Sequence, residues 1–378
     1  MSTAQLAAEE TPAAWLRVVR DTPYVFSAGL YDNLTMIRRW VLLGEGFCDR
    51  PDRHVLFDQR GRFLTWLNDS PTLAETQQRL NSVRELLYQK GRVHRWIGGT
   101  LTETGYPFAL SCKQPHVDLA DSLDRLFGRD PDDLVWGQWD GMRVGRKEAP
   151  VPLIELVLQV FRQRAGQVGL EVSDEFVRTL LGQLIVESGV RKHSVSAARA
   201  VGLLQLRPEV LSDCRLPRRF HLHRMAQVDC AVRLYVQIDR NLRPLFEARF
   251  GALPAAKRQR LYALLLTQTY HAGIGRMREL LGDGEPGRAA RSLAEDHGRY
   301  TAEDLALGIV FHNLGRVDLG LASLFYLVDV AIAGDQVCDA VRRRQLSYPA
   351  TVALRESVCA VPETRPEELT PARPPENS

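Results

Sequence analysis

The chain has 378 residues, of which 45% are hydrophobic and 25% are charged, and its formal net charge is +3. This length is enough to bury a sizeable core and predicts two domains. The composition is typical of an ordinary soluble globular protein. A net charge this small excludes any assignment of a partner from bulk charge, so the function has to be sought in local patterns.

The amino-terminal part, residues 1–140, is predicted to form a small α+β domain whose role the sequence does not indicate. Short apolar runs separated by polar turns predict strands, and apolar residues at helical spacing predict helices. The predicted elements are a hairpin of strands 55–57 and 63–66, a helix that starts at Ser70-Pro71 with Leu73, Leu80, Val83 and Leu87 on one face, two strands within 96–111, and a helix over 119–127.

The rest of the chain is predicted to be a linker, a helical domain and a tail. Residues 141–152 are rich in charge, Gly and Pro, which is typical of a linker, and residues 153–346 are helical by pattern. The most apolar stretch, 305–333, is interrupted by charged and polar residues, so we expect a buried helix pair and no membrane span. Residues 361–378 are rich in Pro and Glu and are predicted to be disordered. The predicted fold class is therefore mainly α, with a smaller α+β domain in front.

One carboxyl in the helical part has the placement of an acid catalyst. Ser173 is a predicted helix N-cap, and Phe176, Leu180 and Leu184 follow at helical spacing. Glu187 falls on the next turn of this apolar face. A carboxyl carried into an apolar wall loses hydration of its charged form, so its pKa rises and it can hold a proton near neutrality. The alternative is a Glu at a frayed helix end in water.

The segment from Glu187 to Pro208 extends this candidate site. Glu-Ser ends the helix, a polar loop follows, and a Gly-Leu-Leu-Gln segment leads to Pro. This layout resembles the Glu-Ser and Ser-x-x-Gly-Ala-x-Gly-Leu-Met-Gln motifs of the lytic transglycosylases with the goose-type lysozyme-like fold. The matching positions are Glu187, Ser188, Ser196, Ala200, Gly202, Leu203, Gln205 and Pro208. Arg199 stands where the pattern has Gly, a residue that often supplies a positive φ, and Leu204 stands where it has Met, a mild exchange.

A second segment downstream carries the same resemblance. Tyr270-His271-Ala272-Gly273 is similar to the Tyr-Asn-Ala-Gly motif of that family, with His271 in place of Asn. The resemblance implies that the Tyr270 hydroxyl reaches Glu187 and helps to hold its proton. It covers roughly residues 170–290.

The resemblance implies a fold, an activity and a partner. The fold would be lysozyme-like over 153–346, and the partner would be the glycan strands of peptidoglycan, with no cofactor, metal or nucleic acid. Glu187 would protonate the β-1,4 bond between N-acetylmuramic acid and N-acetylglucosamine and then act as base, leaving a 1,6-anhydro end. The residues expected to bind the sugar are Ser188, Ser196, Gln205 and His271.

Two alternatives to this activity stay open. One is a binding or scaffolding protein with the same fold and no turnover. The other is a hydrolase that uses a second carboxylate, because most glycosidases need a pair. The carboxylates near the motif, expected to be solvated surface groups, are Glu209, Asp213 and Asp229.

The compartment is not decided by the sequence. Peptidoglycan implies the periplasm or cell envelope, but the first ten residues have neither a basic nor an apolar region typical of a signal peptide, and the cytoplasm is the alternative. The six cysteines are not expected to form a disulfide framework in a chain this long, so buried thiols are the expectation. Cys214, His221, His223 and Cys230 offer a zinc-like ligand set, but their spacing matches no common finger.

A basic cluster completes the candidate features. Such a cluster can contact anionic peptidoglycan or nucleic acid, although a solvated arginine face is the expectation and no nucleic-acid motif accompanies it. Its members are Arg215, Arg218, Arg219 and Arg224.

Overall fold

The computed structural model describes residues 13–113 and 117–360. It is mainly helical, with 58% helix and 9% strand, as predicted. The helices are α1 Leu16–Asp21, α2 Leu30–Leu43, α3 Leu73–Gln89, α4 Leu119–Leu126, α5 Leu153–Val168, α6 Asp174–Ser188, α7 Pro208–Asp213, α8 Arg224–Phe250, α9 Ala255–Ala272, α10 Ile274–Leu281, α11 Arg288–Glu295, α12 Ala302–Phe311, α13 Leu321–Arg344 and α14 Pro349–Glu356. The predicted disordered tail, 361–378, lies outside the described residues.

A three-stranded antiparallel sheet lies in the amino-terminal part. Strand β1 (Arg53–Phe57) lies between β2 (Phe63–Asn68) and β3 (Phe108–Ser111). The predicted hairpin is confirmed, and its turn is held by the Asp58 carboxylate, which accepts hydrogen bonds from the backbone N–H groups of Arg60 and Arg62 at 2.8 and 3.0 Å.

Two details of the amino-terminal prediction differ from the structure. Of the two strands predicted within 96–111, only β3 forms, and the other is a single bridge between Ile97 and Tyr106. Helix α3 begins at Leu73, two residues after the predicted start at Pro71, because a reciprocal capping box of Thr72 and Glu75 satisfies its first backbone N–H groups. Leu73, expected on the apolar face, is 75% exposed.

The predicted linker, 141–152, contains regular structure. Strand β5 (Met142–Val144) pairs antiparallel with β4 (Gly137–Trp139), and Val151 bridges Val135. The predicted domain boundaries stay predictions.

Helices α6 and α13 pack closely and together support the candidate site. A Cβ on Gly182 of α6 would lie 2.0 Å from the Val330 carbonyl oxygen of α13, so the two backbones approach as near as only Gly allows. On its other side α13 is tied to α2, where Arg38 donates two hydrogen bonds of 2.6 Å to the buried Asp329 carboxylate. A buried ion pair of this kind adds little net stability, because removing both charges from water costs about as much free energy as their attraction returns.

Helices α12 and α13 are largely buried, as expected for the apolar stretch 305–333. Within the described residues, α13 alone is long and apolar enough to cross a membrane, and 72% of its most apolar window is buried inside the protein.

The cysteines differ from the prediction, because all six are paired. The disulfides are Cys48–Cys112, Cys214–Cys230 and Cys338–Cys359, with Cα separations of 5.1, 5.6 and 4.9 Å. These distances lie in the range that a disulfide needs, and only the tertiary fold brings the partners together. The prediction of buried thiols was therefore wrong.

The zinc-like set is also excluded by the disulfides. The sulfurs of Cys214 and Cys230 are bonded to each other, so no thiolate is left for a metal. Among the described residues no group of three or more His, Cys, Asp or Glu side chains is placed to hold a metal ion.

Candidate active site

Helix α6 carries Glu187 in its last turn. The Ser173 hydroxyl caps the start of the helix by accepting a 3.2 Å hydrogen bond from the backbone N–H of Phe176, as predicted. Gly189, with φ of +59°, ends the helix in the left-handed conformation. Glu187 therefore lies at a well-defined helix end and not at a frayed one.

The Glu187 carboxyl is largely surrounded by protein, although one edge of the residue stays exposed to solvent. The Tyr326 hydroxyl donates a hydrogen bond of 2.7 Å to Oε1. The side-chain amide of Gln183 lies one helical turn earlier and is near enough to oppose protonation, but within the described chain its nitrogen makes no hydrogen bond of good geometry.

Burial is the dominant influence on this carboxyl. It raises the pKa of Glu187 from 4.5 to about 7, although the hydrogen bond from Tyr326 and the Gln183 amide both favour the charged form. A group with a pKa near 7 can donate a proton at neutral pH and take one back, which is the property a general acid and base needs.

Three tyrosines surround the carboxyl. The Tyr235 hydroxyl donates to Oε1 of Gln183, and the Tyr235 ring stacks on Tyr270 with centroids 5.1 Å apart. Burial raises the pKa of Tyr235, Tyr270 and Tyr326 well above 10, so each hydroxyl stays protonated and serves as a donor.

The expected contact between Tyr270 and Glu187 is made by a different tyrosine. The Tyr270 hydroxyl donates to the Leu204 carbonyl oxygen at 2.7 Å, and Tyr326 donates to Glu187 instead. Tyr270 thus ties the Gly-Leu-Leu-Gln segment to α9. The sequence does not indicate Tyr326 as a partner, because it lies 139 residues from Glu187, inside an apolar run whose pattern predicts a core helix. A lone phenol in so apolar a run was the only local signal, since a buried hydroxyl needs a partner.

The loop after Glu187 folds back on itself. Its Ser194 carbonyl accepts a 2.8 Å hydrogen bond from the Gly202 N–H, and the Leu203 N–H donates at 2.8 Å to the buried side chain of Gln227. Gly202 has φ of +78°, and a Cβ there would lie 1.9 Å from Gln227 Nε2. The glycine of the Gly-Leu-Leu-Gln segment is therefore required by both backbone conformation and space.

Strained backbone is concentrated in this loop. Val190, Arg199 and Gln205 have φ of 64°, 61° and 46°, in the left-handed region that costs a residue other than Gly about 1–2 kcal/mol. Arg199 occupies the position where the resemblance has Gly, and its positive φ agrees with the conformation inferred for that position. Residues held in such conformations cluster at functional sites.

Three of the four predicted sugar-binding residues lie in the loop after Glu187 or next to it. Ser188 is buried, and its hydroxyl donates to the Leu203 carbonyl at 2.8 Å, so the expectation that it faces a groove was wrong. Ser196 is exposed and accepts a 3.1 Å hydrogen bond from Ala200 N–H. Gln205 is half-buried and uses its amide nitrogen to hold the loop.

His271 is exposed and lies against Tyr326. Its ring stacks on Tyr326 with centroids 4.0 Å apart and planes 18° apart. Loss of hydration is the main cause that lowers the pKa of His271 from its usual 6.5, and the positive charges of Arg276 and Arg207 lower it further. The ring is therefore neutral at pH 7. A neutral imidazole can hydrogen-bond a sugar as donor or acceptor.

The neighbouring carboxylates differ in their surroundings. Glu209 and Asp213 are exposed, as expected. Asp229 is buried, which corrects the expectation of a solvated group. Its oxygens lie 2.5 Å from Arg164 and 2.9 Å from Arg233, because a carboxylate at this depth needs compensating charge.

The basic cluster is largely a surface feature. Arg215, Arg218 and Arg219 are exposed, as expected. Arg224 is half-buried and donates to backbone carbonyls of residues 132–134. It is therefore a structural tie between α8 and the amino-terminal part.

No protein-family model matches the chain, and no curated protein matches it significantly. The function therefore has to be inferred from the site itself. The structure brings the three motif segments together at one place, since Ser188 contacts Leu203 and Tyr270 contacts Leu204. A separate cleft of about 290 Å³ between α8 and α9 does not include Glu187.

Proposed function

We propose that this protein is a peptidoglycan lytic transglycosylase in which Glu187 is the only carboxyl that takes part in the chemistry. The observation that carries the proposal is the state of that carboxyl. It lies at the end of a buried helix, has a pKa of about 7 and accepts a hydrogen bond from Tyr326. The strained loop with the Gly-Leu-Leu-Gln segment adjoins it.

The proposed reaction uses the Glu187 carboxyl twice, first as an acid that gives up one proton and then as a base that takes up another. Protonated Glu187 gives its proton to the oxygen between N-acetylmuramic acid and N-acetylglucosamine, and that C–O bond breaks. The acetamido group of the muramic acid stabilises the cation that forms at C1. The C6 hydroxyl of the same sugar then attacks C1, and the Glu187 carboxylate takes up its proton, so a 1,6-anhydro end forms without water.

The surroundings of the other carboxylates support a mechanism with one acid. Asp229 is committed to Arg164 and Arg233. Glu209 and Asp213 are exposed, and neither has the buried surroundings that distinguish Glu187. Inverting and retaining hydrolases need a second carboxyl across the bond, whereas substrate-assisted enzymes do not.

The disulfides support a location outside the bacterial cytoplasm. Such bonds form and persist in oxidising compartments and are rare in reducing ones. Three disulfides in this chain fit the periplasm or cell envelope, where peptidoglycan lies. The location is part of the proposal.

The test compares the parent protein with Glu187→Gln on purified peptidoglycan, with mass spectrometry of the released ends. Glu187→Gln keeps the shape and the hydrogen bond from Tyr326 but cannot supply a proton. We expect anhydro ends from the parent and release lowered by at least about 100-fold in the variant. The matched control is Glu209→Gln, an exposed carboxyl on α7, which should release product like the parent.

The other outcomes distinguish the alternatives. Reducing ends from the parent would make the protein a hydrolase and overturn the single-acid reaction. No release by the parent, with retained binding to the insoluble peptidoglycan, would overturn catalysis and favour the binding protein. Equal loss in both variants would show that the effect is not specific to Glu187.

A further inference from the structure

A tryptophan that shares a cleft with the loop after Glu187 is unusually exposed. Trp136 directly precedes β4, and 54% of its surface is open to solvent. Within residues 13–113 and 117–360, no ring stacks on it and no group accepts a hydrogen bond from its indole N–H. Trp139, three residues later, is by contrast packed against Phe220 and donates to Asp229. Trp136 thus presents an apolar face and a free donor to solvent.

Trp136 forms one wall of a cleft of about 260 Å³. Leu222, itself 39% exposed, adds a second apolar surface. Lys192 and His193, in the loop that follows Glu187, also line the cleft. The cleft therefore joins the amino-terminal part of the chain to the loop of the candidate active site.

The cleft has one uncommitted cation. Lys192 is half-buried, and in the described part of the chain it forms no ion pair or hydrogen bond. Arg224 is occupied by backbone carbonyls, and the His223 ring caps α8 by accepting from Ala226 N–H at 3.3 Å. No carboxylate lines the cleft. A ligand that suits it carries an apolar face for the indole and a negative charge for Lys192.

We propose that this cleft is a binding subsite for a peptide-bearing sugar of the glycan strand. One pyranose face would pack on Trp136, an N-acetyl group would accept from its indole N–H, and a carboxylate of the attached peptide would pair with Lys192. This inference rests on the proposed function, since it names a further contact of the same substrate. It also assigns a role to the amino-terminal part, which contributes Trp136.

Binding can be measured without turnover in the Glu187→Gln protein. Isothermal titration calorimetry would use two probes: a soluble peptide-bearing glycan fragment and a neutral oligomer of N-acetylglucosamine. Trp136→Ala should weaken both by about tenfold, the loss typical of a tryptophan that anchors a contact. Lys192→Gln should weaken only the peptide-bearing fragment, by about threefold, because it loses one half-exposed ion pair.

Two controls separate a direct contact from damage to the fold. Trp136→Phe keeps an aromatic face and should recover most of the affinity. Trp66, which is 37% exposed on β2, provides a matched tryptophan, and Trp66→Ala should leave binding unchanged. Unchanged affinity in Trp136→Ala, or equal losses in Trp136→Ala and Trp66→Ala, would overturn the subsite.

The outcomes for the subsite and for the proposed function are distinguishable. Release of anhydro ends by the parent, together with unchanged binding in Trp136→Ala, would leave the function standing and remove the subsite. Binding that depends on Trp136, without release by the parent, would keep the subsite and remove the catalysis. If single-stranded oligonucleotides bound the cleft as tightly as the glycan probes do, the glycan would be overturned as its occupant.

Discussion

Replacing Glu187 by Gln should make the fold more stable above neutral pH and leave its stability nearly unchanged near pH 4.5. Burial raises the pKa of Glu187 from 4.5 to about 7, so the folded protein binds this proton more tightly than the unfolded chain does. The contribution of the Glu187 proton to the free energy of unfolding is complete below pH 4.5 and is lost as the pH rises through 7. A pKa rise of this size lowers the free energy of unfolding of the parent by about 3 kcal/mol at pH 8 relative to acidic pH.

The assay is urea unfolding of both proteins, with disulfides intact, at pH 5 and pH 8. Gln cannot ionise and still accepts the hydrogen bond from Tyr326, so the pH-dependent part of the difference isolates the buried charge. We expect the free energy of unfolding of the variant, relative to that of the parent, to be about 2.5 kcal/mol higher at pH 8 than at pH 5. Glu209→Gln, which removes an exposed carboxyl, should change the free energy of unfolding by less than about 0.5 kcal/mol at both.

A stability difference that is the same at pH 5 and pH 8 would contradict this prediction. It would mean that the Glu187 carboxyl is hydrated in the folded protein and that its environment does not favour the protonated form. The acid role would then lose its physical basis. This measurement needs no substrate, so it tests the site independently of peptidoglycan.

Three further predictions concern the same region. Tyr326→Phe removes a donor to the carboxylate, which raises the pKa of Glu187, and the alkaline limb of muropeptide release should move up by about one pH unit. Arg199→Gly relieves a left-handed backbone and should raise the free energy of unfolding by about 1 kcal/mol in urea. Replacing Cys214 and Cys230 by Ala opens a loop of 16 residues and should cost about 3 kcal/mol, measured as a lower melting temperature.

Each of these has a result that contradicts it. An unmoved alkaline limb in Tyr326→Phe would show that the hydroxyl does not stabilise the carboxylate. Arg240, exposed on α8 in helical conformation, is the control for Arg199, because Arg240→Gly should instead lose about 1 kcal/mol. A higher free energy of unfolding in both variants, or in neither, would show that backbone strain at Arg199 does not lower the stability of the protein. An unchanged melting temperature in the double Cys variant would show that the bond does not form.

Local patterns predicted the elements whose causes are local. The β1–β2 hairpin follows from two apolar runs around a turn that Asp58 holds with its own side chain. The start of α6 follows from the Ser173 cap. The raised pKa of Glu187 was also expected, because the apolar spacing of α6 carries that residue into the protein. The left-handed conformation at Arg199 agrees with the glycine that stands there in the motif.

The partners of these residues were decided by the tertiary fold. Tyr326 reaches Glu187 only because Gly182 lets α6 and α13 pack backbone to backbone. The disulfides, the buried Asp229 and the inward turn of Ser188 likewise depend on contacts between segments distant in sequence.

Local patterns in the amino-acid sequence therefore determine where α6 begins and ends, and they carry Glu187 into the protein. These properties depend on hydrogen bonds and spacing within a few residues. The tertiary structure alone decided which phenol holds the carboxyl, which serine is available to a ligand and which cysteines pair. Those choices depend on distances between helices, and the packing of the whole core sets such distances.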